Sequence, residues 1–287
     1  MEYGININGD RPLGMIKRGA LAAEDAGFHT IWVGEKPKFI HPFTVAAVLA
    51  KTTLNVRIGS GIISPLLNRC RHVVGGYTVL REAYGDRFIV GLAPGDRWGL
   101  REVGVPAKKA VERVEECLKA LKQRGFRVYI GASDPDLARL GGTVADGLLI
   151  NYVKPEYVKW ALEKAGDKVS KAAYGPSLLL PDHHHHELLL VGAATVAAGT
   201  SMSFQREFGL EEWVRELRDI LRRRAYGELR AHRKRLLESF TIHGGIEDVL
   251  ERVAELRKLG IDEVIFGGPL SHNIRSVAEI GNRLREL

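Results

Sequence analysis

Three stretches of the chain share one pattern: LAAEDAGFHTIWVG at 21–34, LKALKQRGFRVYIG at 118–131 and VAELRKLGIDEVIFG at 253–267. In each, a helical run stops at a glycine (Gly27, Gly125, Gly260), where a helix C-terminus favours a left-handed residue. An apolar strand follows and closes on a second glycine (Gly34, Gly131, Gly267), where the backbone must turn tightly or approach something closely. GGTVADGLLIN at 141–151 is a fourth junction of the same shape. The strands are near-continuously apolar, as parallel strands buried on both faces are. The intervening helices are amphipathic, with Ala110, Val111, Val114, Cys117, Leu118 and Leu121, and again Val249, Leu250, Val253 and Leu256, at spacings of three and four. Alternating helix and strand of this kind means α/β.

Working outward, eight strands are predicted near residues 3–8, 29–34, 56–62, 88–92, 127–131, 147–151, 173–180 and 262–267. Eight is the number that closes a (β/α)8 TIM barrel, and a barrel of this length is normally one domain. The expectation is a single domain over 1–287, with a mostly helical insertion at about 182–238 between the seventh and eighth strands.

The formal charge of +7 is read first as a solvated basic surface. Much of the excess lies in Arg222, Arg223, Arg224, Arg230, Arg233, Lys234 and Arg235, read as the outer face of a helix. No aromatic stacking platform accompanies it, so no nucleic-acid partner is expected. Two glutamines, three methionines and 27% charged residues fit a heat-adapted source. Cys70 and Cys117 lack the spacing of a zinc site or disulfide framework. The chain opens on the apparent strand YGININ without a leader, and its longest apolar run, 188–199, is too short to span a bilayer. A cytoplasmic protein with no membrane partner is expected.

In such barrels chemistry sits at the C-terminal strand ends. This selects Asn6, Glu35, Ser60–Ser64, Gly95–Arg97, Gly131–Asp134, Asn151 and Gly267–Ser271. GSGIISP at 59–65 places two glycines inside an apolar strand, where they weaken it unless a bulge or a ligand needs them. Gly131, Ala132 and Ser133 before a helical pattern offer an anion site, although residue type alone favours a simple N-cap by Ser133 or Asp134. Pro94, Gly95 and Asp96 read on spacing as a turn. His183–His186 point all round a helix rather than one way, so no metal is expected. No GxSxG, P-loop or HExxH occurs, and GLAPGD does not match a dinucleotide fingerprint.

The stretches YGIN, AEDAGFHTIWVGE, GSGIISP, FIVGLAPGD, YIGASDPDLARLGGTVADGLLIN and FTIHGGIEDVLERVAELRKLGIDEVIFGGP, in this order and spacing, resemble the bacterial luciferase-like barrels. Within them the chain resembles the archaeal coenzyme F420-dependent methylenetetrahydromethanopterin reductases. The resemblance implies coenzyme F420 as cofactor, with FMN the alternative, and a small-molecule acceptor in a homo-oligomer. It implies a cis peptide at Gly61 and Ile62 behind the deazaflavin ring. It further implies cofactor contacts from Asn6, Glu35, Ser60, Gly95, Asp96, Gly131, Ala132, Ser133 and Asn151, with Glu35 or Asp96 as catalytic acid. The alternatives to a reductase are an FMN-dependent monooxygenase and a non-catalytic cofactor-binding barrel. Three features depart from the reductase pattern. Asn6 stands where a glutamate is usual and does not titrate, Lys36 stands where a histidine is usual, and 122–127 lacks the usual hairpin.

Overall fold

The computed structural model describes residues 1–95, 97–132, 134–166 and 169–286. Its strands are β1 (Glu2–Asn6), β2 (Thr30–Val33), β3 (Arg57–Ser60), β4 (Phe88–Leu92), β5 (Arg127–Gly131), β6 (Gly147–Ile150), β7 (Ser170–Leu179), β8 (Ile242–Gly244) and β9 (Glu263–Gly267). All pairings between them are parallel. Strands β1 to β6 run in sequence, β9 pairs with both β1 and β7, and the β6–β7 pairing closes an eight-stranded barrel. Strand β8 stands outside that ring and pairs only with the far half of β7, Ser177 to Leu179. The predicted strands therefore land on the barrel, with two differences. Strand β7 begins at Ser170 rather than 173, and the three-residue β8 is too short to register as an apolar run.

The helices are α1 (Leu13–Asp25), α2 (Pro42–Thr52), α3 (Cys70–Tyr84), α4 (Arg97–Glu102), α5 (Ala110–Gln123), α6 (Pro135–Val144) and α7 (Pro155–Ala165). Between β7 and β8 come α8 (His186–Ala198), α9 (Met202–Glu207), α10 (Glu211–Arg223), a 3-10 turn (Tyr226–His232) and α11 (Arg233–Phe240). Helices α12 (Ile246–Lys258) and α13 (Ile274–Leu284) flank β9. Gly27, Gly125 and Gly260 take φ of 83°, 73° and 80° after α1, α5 and α12, the left-handed turn their position requires. The basic stretch at 222–235 is not one helix face. It is divided among α10, the 3-10 turn and α11, with Arg224 left-handed at the break (φ 56°). Its charges are largely matched on the surface, Arg222 and Arg223 by Asp219, Arg223 also by Glu228, and Arg230 by Glu187. Among the described residues no helix is long and apolar enough to cross a membrane, and both cysteines are free thiols.

The inside of the barrel holds a buried charge. Glu263 is 4% exposed and accepts a hydrogen bond from Trp32 Nε1 at 2.9 Å. Burial pushes its carboxyl up to about 7, against the pull of that hydrogen bond and of Arg57. The folded chain therefore holds a proton here that the unfolded chain has released, so this group's contribution to stability falls as pH rises from about 4.5 to about 7. Glu263→Gln keeps an acceptor for the indole and does not titrate. Its unfolding free energy relative to the parent should rise by about 1–3 kcal/mol between pH 4.5 and pH 8, measured by urea denaturation across that range. A difference that stays constant with pH would show that Glu263 is not the titrating group.

Candidate active site at the barrel mouth

Every second strand residue faces inward, and in a closed parallel barrel these residues stack in layers contributed by alternate strands. The register places Trp32, Gly91, Leu149 and Ile265 in one layer. The next layer toward the C-terminal ends is Asn6, Gly61, Gly131 and Tyr174, and the rim above it is Gly34, Ala93, Asn151 and Gly267. Positions that barrels usually fill with bulky branched side chains are glycine here. The mouth is poor in side chains over an apolar floor of Trp32, Leu149 and Ile265, and Gly61 on its wall is exposed.

Hydrogen bonds lock one side of this hollow. Asn6 Nδ2 donates to Trp32 O (2.9 Å) and to Asn8 Oδ1 (3.0 Å), and Asn8 Oδ1 also accepts the Gly34 N–H (2.8 Å). The Gly61–Ile62 peptide is cis. On one flank Gly61 N–H donates to Val33 O (2.8 Å) and Glu35 N–H to Ile62 O (3.2 Å), while on the other Ile63 N–H donates to Gly91 O (2.8 Å). The two misplaced glycines of the sequence thus have separate reasons. Gly61 forms the cis bond, and a Cβ on Gly59 would lie 2.4 Å from the Trp32 ring. Ser60 spends its hydroxyl on Gly91, donating to the carbonyl (3.1 Å) and accepting from the N–H (2.9 Å), so it shapes the hollow without facing it.

Glu35 stitches β2 to the loop after β3. Its Oε2 accepts the Ser64 N–H (2.8 Å) and its Oε1 accepts Asn68 Nδ2 (2.7 Å), with His41 Nε2 at 3.8 Å and the side chain 7% exposed. Burial pushes this carboxyl above its usual range despite those donors. Ser64 Oγ continues the chain of bonds to Pro94 O (2.6 Å), beside Gly95 at φ 89°. Asp96 and Ser133 lie outside the described residues. At the third candidate segment the Ala132 N–H donates to Leu149 O (2.9 Å), and Asp134 caps α6 by accepting from Asp136 N and Leu137 N, each at 3.0 Å. The first-turn donors of that helix are therefore taken by its own carboxylate. Asn151 is exposed at the rim, while Tyr152 turns away and stacks on Phe204 with centroids 4.4 Å apart.

Sequence reading missed two groups. One is Tyr174, whose inward position the parity of β7 would have given. The other is a polar cluster on the rim where the β1, β7 and β9 loops meet. There Arg11 donates to Ser271 O (2.7 Å) and Oγ (2.6 Å), and Asp182 Oδ2 accepts from Asn273 Nδ2 (2.9 Å) and pairs with His185 Nδ1 (2.8 Å). His185 meets His272 edge-on at 5.6 Å, and burial and the Arg11 charge push His272 down to about 4. Of the four consecutive histidines, His185 thus belongs to the rim.

The family model described as luciferase-like monooxygenase matches residues 2–125 and 122–263. The chain is 24% identical to the 5,10-methylenetetrahydromethanopterin reductase of Archaeoglobus fulgidus over 99% of its own length and 98% of that protein's. It is also 24% identical to the reductase of the same name from Methanolobus tindarius, over 95% and 96%. Among solved structures, the coenzyme F420-dependent tetrahydromethanopterin reductase of Methanopyrus kandleri superposes with a TM-score of 0.84 at 20% identity, covering 98% of this chain and 97% of that one. A riboflavin lyase solved with modified FMN and riboflavin follows at 0.69 and 12%, covering 100% and 91%.

The Glu35 bonds carry a consequence for folding. Glu35→Ala leaves the Ser64 N–H and the Asn68 amide without their acceptor, and a buried unsatisfied donor costs about 1–3 kcal/mol. The variant should lose about 2–4 kcal/mol in urea denaturation. Glu35→Gln, which keeps one acceptor oxygen, should lose less. Equal stability of all three proteins would show that the carboxylate does not hold the loop.

Proposed function

The chain belongs to the luciferase-like monooxygenase family, and from that premise we propose that it is an oxidoreductase which binds coenzyme F420 in the hollow mouth of its barrel. Its acceptor in this reading is a one-carbon unit carried on tetrahydromethanopterin or a related pterin. The observation that carries the reading is the glycine-emptied layer beside the cis Gly61–Ile62 peptide. Glycine is required at the edge of that layer, since a Cβ on Gly131 would stand 2.9 Å from Ala93 Cβ and 3.4 Å from Ile62 Cγ2, beside the cis peptide. The near full-length match to archaeal reductases, one of them solved as a coenzyme F420-dependent enzyme, supports this cofactor over FMN.

In this reading Gly61 and Ile62 back the ring, and Asn6 borders it from β1. Gly95 closes the side beyond β4, and Asp96 is assigned to the cofactor with it. Gly131, Ala132 and Asn151 line the way to the cofactor's anionic tail, to which Ser133 is assigned as well. Ser60 and Glu35 act at one remove: Ser60 fixes Gly91, and Glu35 fixes the loop that follows the cis peptide. Bound there, the cofactor supplies the hydride, while the chain supplies position and a proton. Glu35, its two oxygens already taken by donors, is better suited to holding the loop than to giving a proton. The reading makes the substrate a small molecule, the assembly a homo-oligomer and the setting the cytoplasm.

Titration of the purified protein with F420 and with FMN, each followed by fluorescence, tests the cofactor. F420 should bind at least about tenfold more tightly, a difference of about 1.4 kcal/mol. Methylenetetrahydromethanopterin should then oxidise the reduced F420. Tighter binding of FMN would favour a flavin monooxygenase instead. Binding of F420 without turnover on any one-carbon pterin would make the chain a non-catalytic cofactor-binding barrel.

A further inference from the structure

We infer that Tyr174 is the proton donor at the barrel mouth, filling the place that the Asn6 amide cannot fill; the inference rests on the reductase reading above. Reduction of a methylene bridged between two nitrogens needs a proton as well as a hydride. Three of the polar side chains around the hollow are unsuited to give it. An amide does not titrate near neutrality, and Asn6 Nδ2 is already committed to Trp32 O and Asn8 Oδ1. Both Glu35 oxygens accept hydrogen bonds. The Tyr152 ring is buried against Phe204, away from the barrel interior.

Tyr174 is placed differently. It lies in the same inward layer as Asn6, Gly61 and Gly131, on β7, which faces β3 across the barrel. It packs on the inner cluster of Trp32, Ile89, Tyr129, Leu149, Ala172 and Ile265, and among the described residues Ile62, of the cis peptide, is the other partly buried hydrophobic side chain that rests on that cluster. Phenol and cis peptide thus flank one space. The phenol end extends over Gly267, where an added Cβ would lie 2.7 Å from both Cζ and the hydroxyl oxygen. The glycine leaves room for that end of the ring at the rim of the barrel. Among the described residues the hydroxyl makes no hydrogen bond, so its proton is not committed to the protein. Burial, and to a smaller degree the charge of Asp10, push the phenol up to about 12, which keeps it protonated throughout the working range. Asp10 is itself held beside Arg11 (3.5 Å) and His272 (3.9 Å), so the rim cluster lies behind the phenol.

The step balances as follows. The methylene carbon receives a hydride with its electron pair from the reduced deazaflavin, and its bond to one ring nitrogen breaks. Tyr174 gives its proton to that nitrogen. The phenolate then regains a proton from water at the open mouth.

Tyr174→Phe keeps the ring and removes only the proton, and two measurements on it separate the outcomes. Binding of F420, read from its fluorescence, should stay within about twofold of the parent. The single-turnover rate of reduced F420 oxidation by methylenetetrahydromethanopterin should fall by about 100-fold or more, the usual contribution of a positioned acid. An unchanged rate with normal binding would overturn the inference while leaving the cofactor reading intact. A loss of affinity as large as the loss of rate would make Tyr174 a packing residue and overturn it too. Failure of the parent itself to bind F420 would overturn the cofactor reading and this inference together.

Discussion

The indole of Trp32 decides what else the inside of the barrel can contain. It is buried inside the barrel, and its neighbours give way to it. A Cβ on Gly59 would sit 2.4 Å from the ring, and one on Gly4 2.8 Å from its nitrogen. The ring thus fills space that its own layer and the one below would otherwise share among several side chains. Its N–H needs a partner in an apolar interior, because a buried donor left unpaired costs about 1–3 kcal/mol. Glu263 provides the acceptor from β9. That choice places an ionisable group where charge is poorly solvated, and the raised Glu263 carboxyl is the result. The backbone of Trp32 matters equally, since its carbonyl receives the Asn6 amide and the Ile7 N–H and so sets the height of the β1 end.

With the centre filled by one large ring, the layer above can be left open. Gly61, Gly131 and Gly34 contribute no side chains, and Gly267 lies under the phenol of Tyr174. Glycine at a strand end is destabilising on its own. The compensation is found in hydrogen bonds around the hollow: Asn8 to Gly34, Ser60 to Gly91 and Glu35 to Ser64 and Asn68. These bonds fix the ends of β1 to β4 without placing side-chain volume in the mouth. A site built in this way is shaped chiefly by backbone, which suits a flat ring more than a flexible chain.

Much of this was legible in the sequence. The helix-glycine-strand junctions named the barrel because glycine after a helix and apolar runs in parallel strands have local physical causes. GSGI pointed to the cis peptide only through resemblance, since no propensity distinguishes a bulge from a cis bond at Gly61. The roles of the flagged residues were harder. Ser60 and Glu35 were marked as cofactor contacts, yet the structure turns their polar atoms toward Gly91, Ser64 and Asn68, and which way a rim side chain turns depends on partners about 30 residues away. Tyr174 was overlooked because it lies within an apolar strand, where an aromatic reads as core. The basic segment at 222–235 read as one helix because charge periodicity continues through the left-handed break at Arg224.

The two sides of the mouth are built by different means. The side from β1 to β5 consists of glycines and backbone bonds. The side from β6 to β9 is walled by the inserted helices: α9 is fastened to the end of β6 by the Tyr152–Phe204 stack, and His185, at the start of α8, meets His272 from the β9 loop. A backbone-built wall tolerates little change, because any side chain added at Gly131 or Gly91 would collide with Ala93 or Ser60. A wall of side chains on an insertion can be altered residue by residue with the barrel left standing. Asn6 stands at the junction of the two sides, bonded to the rigid one. Its exchange for an acid or the reverse would change the chemistry of the site while leaving the shape of the hollow as it is.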